Sequence, residues 1–131
     1  MSHKSRIGVI VIDCRTKSLS AAAEFWSQAL GCDAQMDPDF PDYVALKTPK
    51  GHIKILLQAV DHDSRLHMDI ETDDCAAERQ RLEALGAEVV NEVDEDGKHW
   101  TVMEAPTGHR FCLVKPQSAD FEAGANEWSD A

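Results

Sequence analysis

The segments Thr48-Pro49-Lys50-Gly51-His52 and Ala105-Pro106-Thr107-Gly108-His109 decide the fold. Each is a Pro-x-Gly-His turn between two apolar runs, and the second repeats the first at a spacing of about 57 residues. Working outward, Leu30-Gly31 answers Leu85-Gly86, each closing a helical stretch. Arg6-Ile7 answers Arg65-Leu66, each opening a strand. The same signals in the same order predict two copies of one β-α-β-β-β unit.

In the first copy a strand is predicted over Ile7–Asp13 and a helix over Ser18–Leu30. Ser18 or Ser20 supplies an oxygen for the helix N-terminus. Leu19, Ala22, Ala23, Trp26 and Leu30 form its apolar face, and Gly31 suits a left-handed ending. Strands follow at Cys32–Met36, Tyr43–Lys47 and Ile53–Gln58, with a two-proline turn between Asp37 and Asp42. In the second copy the strand is Leu66–Glu71. The helix is capped by Asp73 or Asp74, runs to about Leu85, and carries an apolar stripe of Cys75, Leu82 and Leu85. Strands at Glu88–Val93, Lys98–Glu104 and His109–Val114 complete it, with a hairpin turn at Asp94-Glu95-Asp96-Gly97. The expected organisation is one domain over residues 1–116, its units at about 6–60 and 65–116. Residues 117–131 form an acidic C-terminal tail, with Phe121 or Trp128 as its docking residues.

Composition narrows the function. The chain has 131 residues, of which 43% are apolar and 28% charged, a globular balance with no apolar run long enough for a membrane span. It carries 13 basic and 24 acidic residues, a net charge of −11. Such a surface repels phosphate backbones, so a nucleic-acid partner is not expected, and cationic ligands are mildly favoured. Cys14, Cys32, Cys75 and Cys112 form no CxxC pair and no disulfide framework. The N-terminus leads into the first strand without a cleavage site and reads as the start of the domain. Reduced thiols and a cytoplasmic location are the expectation.

Strand side chains alternate between faces. Leu66, Met68 and Ile70 then pack under the helix, while His67, Asp69 and Glu71 share the other face. On the last strand Arg110 and Cys112 look the same way as His67 and Asp69. Aligning Arg6 with Arg65 puts Gly8, Ile10 and Ile12 at the corresponding places of the first copy. One apolar and one polar wall suit a pocket with a few orienting groups.

The stretch Arg65-Leu66-His67-Met68-Asp69-Ile70, the helix end Leu82-Glu83-Ala84-Leu85-Gly86-Ala87, and the endings Trp100-Thr101-Val102-Met103 and Ala105–Val114 together resemble the vicinal oxygen chelate superfamily. That superfamily includes glyoxalases, extradiol dioxygenases and bleomycin-resistance proteins, and its small bacterial glyoxalase-like members are the nearest in pattern. Phe25-Trp26 with Leu30-Gly31 fits its first helix. The resemblance covers about residues 6–116 and implies an α+β fold. In it, two tandem βαβββ units form an open β-cup with helices outside. It also implies a homodimer. In metal-using members each unit gives one ligand from its first strand and one from its last. The implied positions are Gly8, Ile53, His67 and Arg110, of which His67 alone is a metal ligand by type. No metal and no cofactor are therefore expected.

The resulting functional expectation is a protein that binds a small organic molecule in the cup, of sequestration or resistance type. The alternative is an enzyme, either a lyase, isomerase or hydrolase using His67 and a neighbouring carboxylate as acid and base, or a metal-dependent lyase or dioxygenase with a shifted site. The candidate substrate-binding residues are His67, Asp69, Arg110, Glu71, Trp100, Tyr43 and Cys112. Several have a second reading. His67 is a ligand contact or a neutral partner of Asp69 or Arg110. Arg110 grips an anion or neutralises Asp69 and Glu71. Cys112 is a nucleophile or a small core residue. Tyr43 and Trp100 stack a ligand or fill the core. His52 and His109 read as exposed turn residues, and the Asp94–Asp96 run as a solvated hairpin tip that lacks the remaining calcium ligands.

Overall fold

The computed structural model describes residues 2–95 and 97–129. Strand is the commonest element among its described residues, with few helices, in a mixed α+β fold. Two compact units make up the chain. One is Val9–His67; the other joins the residues up to Gly8 with those from Met68 onward. The first strand, β1 (Ser2–Arg15), is longer than the predicted Ile7–Asp13 and contributes to both.

In the Val9–His67 unit, helix α1 (Leu19–Leu30) begins at Ser18, whose Oγ accepts the Ala21 N–H at 3.3 Å. It ends at Gly31, which takes φ 69°, a conformation that costs glycine nothing. Strands β2 (Asp33–Met36), β3 (Tyr43–Lys47) and β4 (Lys54–Val60) follow. Their order is β2-β3-β4-β1, antiparallel except for the parallel β4–β1 pair. Ile12, Cys14, Ala23, Val44, Leu46 and Leu57 are buried together under α1, with Leu19, Ala22, Trp26 and Ile55 packed on them. Leu30, expected on that apolar face, is 45% exposed at the helix end.

Strand β5 (Arg65–Thr72) opens in the first unit and from Met68 belongs to the other, where β6 (Glu88–Glu95), β7 (Lys98–Glu104) and β8 (Arg110–Val114) follow in the order β5-β8-β7-β6. Helix α2 (Cys75–Ala84) is capped by Asp74, which accepts the Ala77 N–H at 3.0 Å. Ala87, Met103, Phe111 and Leu113 form the core, with Ile70, Cys75, Leu82 and Val89 against it. The period-2 expectation for β5 fails at its start, where Leu66 and Met68 are exposed. Helix α2 spans 10 residues and its packing reaches Ile70. Leu85, past the end of α2, is exposed too. The inner face of α2 instead carries Glu78, fully buried.

The C-terminal stretch carries a helical turn, α3 (Phe121–Gly124), and a strand, β9 (Asn126–Ser129), which pairs antiparallel with Ser2–Ser5 of β1. Phe121 is buried, and Trp128 Nε1 donates to Ser5 Oγ at 2.8 Å. Of the predicted tail 117–131, Asp130 and Ala131 lie outside the described residues. So does Asp96 of the predicted hairpin tip; Gly97 beside it takes φ 76°.

Candidate functional site

The burial of Ile12, Cys14 and Leu57 under α1 fixes which face of the Val9–His67 sheet points away from the helix. On that face β1 presents Val9, Val11 and Asp13, β4 presents Leu56 and Gln58, and β3 presents Tyr43 and Ala45. Asp13, with a side chain only 3% exposed, is the deepest charge there. Its Oδ2 lies 2.8 Å from His67 Nδ1 and 3.7 Å from Arg65 Nε. A carboxylate that accepts here receives the imidazole N–H from Nδ1. Arg65 and His67 are alternate residues of one strand and reach the same carboxylate from the same side. The Arg65 side chain is half exposed, so its charge is also open to solvent.

A polar row continues from there. Asp13 pairs in register with Gln58, and Gln58 with Tyr43. Gln58 Nε2 donates to the Tyr43 hydroxyl at 3.1 Å. The apolar members of the face, Val11 and Leu56, lie one step along the same strands. A shallow hollow at the end of this row is lined by Thr16, Asp42, Gln58, Asp61 and His62.

The remaining candidates belong to the other unit. Asp69 and Cys112 stand opposite each other in the parallel β5–β8 pair, both half-buried. Trp100, Val102 and Glu104 share that side of β7, because Thr101 and Met103 face the core. The expectation that Arg110 neutralises Asp69 or Glu71 is overturned. Arg110 Nε donates to Glu104 Oε1 at 3.0 Å, its register partner on β7. A neighbouring strand supplies the counter-charge at no cost in reach. Glu71 is taken as well, accepting Arg6 Nε at 3.1 Å and the Gln117 N–H at 2.7 Å. His67 Nδ1 lies against Asp13, a partner the sequence reading did not include. His52 and His109 are exposed turn residues, as expected.

Asp13 and Arg65 were missed, for different reasons. Arg65 alternates with His67, a signal the period-2 rule already carried. Asp13 was hidden by a one-residue slip. The alignment of Arg6 with Arg65 turned Ile10 and Ile12 to the polar side, whereas Ile12 packs under α1.

The same slip bears on the implied metal positions. Matching core pairs between the units moves the first-copy positions from Gly8 and Ile53 to Val9 and Lys54. None of these four residues offers a neutral or anionic side-chain donor, and Arg110 is a permanent cation already paired with Glu104. The implied four-residue set does not fit a divalent ion.

A family model for the glyoxalase-like domain matches residues 9–114. No curated protein matches the chain. Among solved structures, an NAD-dependent benzaldehyde dehydrogenase from Legionella pneumophila is 12% identical, covering 83% of this chain and 98% of its own, with a TM-score of 0.62. A glyoxalase/bleomycin resistance/dioxygenase superfamily member from Vibrio splendidus is 16% identical over 86% and 99%, with a TM-score of 0.58. Methylmalonyl-CoA epimerase from Mycobacterium tuberculosis is 17% identical over 86% and 88%, with a TM-score of 0.56. At these identities the likeness is one of fold. Among the described residues no helix is long and apolar enough to cross a membrane.

Proposed function

We propose, for a chain that belongs to the glyoxalase-like domain family, that it binds a small organic molecule on the face of the Val9–His67 sheet turned away from α1 and exchanges a proton with it through His67. The observation that carries this reading is the 2.8 Å contact between His67 Nδ1 and the buried Asp13 carboxylate. A buried aspartate beside a histidine fixes the tautomer and stabilises the imidazolium that forms when Nε2 takes a proton. Arg65, reaching the same carboxylate, places a cation where negative charge develops on a ligand. The step is proton abstraction from carbon next to a carbonyl. The C–H bond breaks, an N–H bond forms at Nε2, and the electron pair moves to the carbonyl oxygen. Return of a proton from Nε2 completes the exchange. An epimerase among the structures that share the fold supports chemistry of this class.

The implied four positions offer one donor, His67, and no step of this reading is routed through a metal. A cytoplasmic homodimer remains part of the proposal. The experiment is solvent exchange. Small carbonyl compounds are incubated with the protein in deuterated water, and deuterium at the carbon next to the carbonyl is followed by NMR. Exchange lost in His67→Ala and reduced by about 10²-fold or more in Asp13→Asn supports the proposal. Binding without exchange favours the sequestration reading, in which the face holds the ligand and does no chemistry.

A further inference from the structure

Arg65 stands between the Asp13 carboxylate and His62, all within the Val9–His67 unit. Its Nε lies 3.7 Å from Asp13 Oδ2 and its Nη2 lies 3.5 Å from His62 Nε2, so neither contact is tight. The role of His62 follows from its partners. Its Nδ1 lies 2.8 Å from the Asp63 carbonyl oxygen, which can only accept, so Nδ1 carries the hydrogen. In the neutral ring Nε2 is then an acceptor, and it faces a guanidinium, which can only donate. The segment that presents His62 is pinned to the end of β1. Arg15 Nη1 donates to Asp63 Oδ1 at 2.8 Å, and the Arg15 backbone N–H donates to Ser64 Oγ at 2.9 Å. On the other side, Asp13 Oδ1 is buried and has no hydrogen-bond partner among the described residues. A guanidinium fork matches both oxygens of a carboxylate, yet Arg65 reaches Asp13 through Nε alone, at long range.

We propose that His62 is a positioning residue for Arg65. Neutral His62 holds the guanidinium back from Asp13 and leaves it available to a ligand. A proton on Nε2 turns that acceptor into a donor, and Arg65 then closes onto both oxygens of Asp13. Asp13 Oδ1 gains its partner in the closed arrangement, which stabilises it. Closure has two consequences for the proposed site at His67, and in these the inference rests on that reading. The cation leaves the place where negative charge develops on a ligand. It also neutralises the carboxylate that His67 bonds, which makes the imidazole a weaker base. The other charged groups around His62 are Asp42 and Asp61, which line the same hollow, Asp63 beside it, and Arg15 beyond Asp63.

The test follows the Arg65 ¹⁵Nε signal against pH in arginine-labelled protein, with the His62 ring signals read alongside. In the wild type the Arg65 signal should shift at the pH where His62 itself titrates. His62→Gln, whose amide oxygen accepts and never charges, should hold the high-pH position throughout. His62→Phe, which has no acceptor, should hold the low-pH position throughout, and Asp13→Asn should remove that position. In the deuterium-exchange assay His62→Phe should run about threefold slower than His62→Gln, the scale of a half-exposed contact. An Arg65 signal that is the same in His62→Phe and the wild type at high pH, the result if water alone serves Asp13 Oδ1, overturns the inference. So does a step that survives in His62→Gln, or equal exchange rates in the two variants. An Arg65 signal that follows His62 as expected, with no exchange in the wild type, would sink the proton-transfer reading alone.

Discussion

Replacing Glu78 should destabilise the protein more than any surface change, and the size follows from what surrounds it. The side chain is fully buried in the first turn of α2. Arg81 grips it with two bonds of 2.7 and 2.9 Å, and His3 Nε2 lies 2.8 Å from Oε1. Arg81 in turn lies 3.9 Å over the Trp128 ring, which ties the cluster to β9. Removing Glu78 leaves an arginine and a 5%-exposed histidine without their acceptor. Breaking a buried pair in this way costs about 3–5 kcal/mol. Arg81 keeps some contact with water, so Glu78→Ala should fall near the lower end, about 3 kcal/mol. Arg81→Ala should cost a similar amount, because it strands the buried carboxylate. The pair should then couple by about 1–3 kcal/mol in a double-mutant cycle read by urea unfolding. A loss below about 1 kcal/mol for either single change, or strict additivity, would refute the reasoning.

The same cluster sets an acid limit. Burial alone pushes the Glu78 carboxyl up, but bonds from Arg81, Ser5 and His3, with the Arg81 charge, hold it below its ordinary value of 4.5. A depressed carboxyl stabilises the fold fully above its unfolded value, and that stability is lost as pH falls through the folded one. Melting temperature should therefore drop below about pH 4.5 in the wild type, and the drop should be shallower in Glu78→Gln. Gly8→Ala should destabilise by about 1–3 kcal/mol, since a Cβ there would lie 2.5 Å from Glu71 Cγ, inside the Arg6–Glu71–Gln117 bonds. Glycine to alanine in a strand is otherwise neutral or helpful, so an unchanged or raised melting temperature would show that Glu71 moves aside freely.

Much of the fold was legible because its punctuation is local. Ser18, Gly31 and Asp74 act on their own backbone neighbours, and each stands at the helix end it marks. The alternation of β8 and of the later part of β5 was also readable, though Leu66 and Met68 at the start of β5 are exposed. Phe111 and Leu113 pair with Met68 and Ile70, and Asp69 with Cys112, as alternation requires. What failed depended on partners far along the chain. Glu78 is an acid on an inner helix face, and nothing within α2 but Arg81 hints at its burial; His3 and Trp128 come from the two ends of the sequence. Arg110 chose Glu104, six residues away across a hairpin, over acids on the next strand. Asp13 went unseen because repeat alignment at low identity tolerates a slip of one, and in a strand a slip of one exchanges the faces.

The proposed proton transfer depends on the Asp13–His67 contact. The direct measurement is the pair of ring ¹⁵N shifts of His67 above its titration range, in the wild type and in Asp13→Asn. Donation to Asp13 predicts a protonated Nδ1 and an unprotonated Nε2 in the wild type, with that preference weakened in the variant. An Nε2–H tautomer in the wild type, or shifts indifferent to Asp13→Asn, would contradict it.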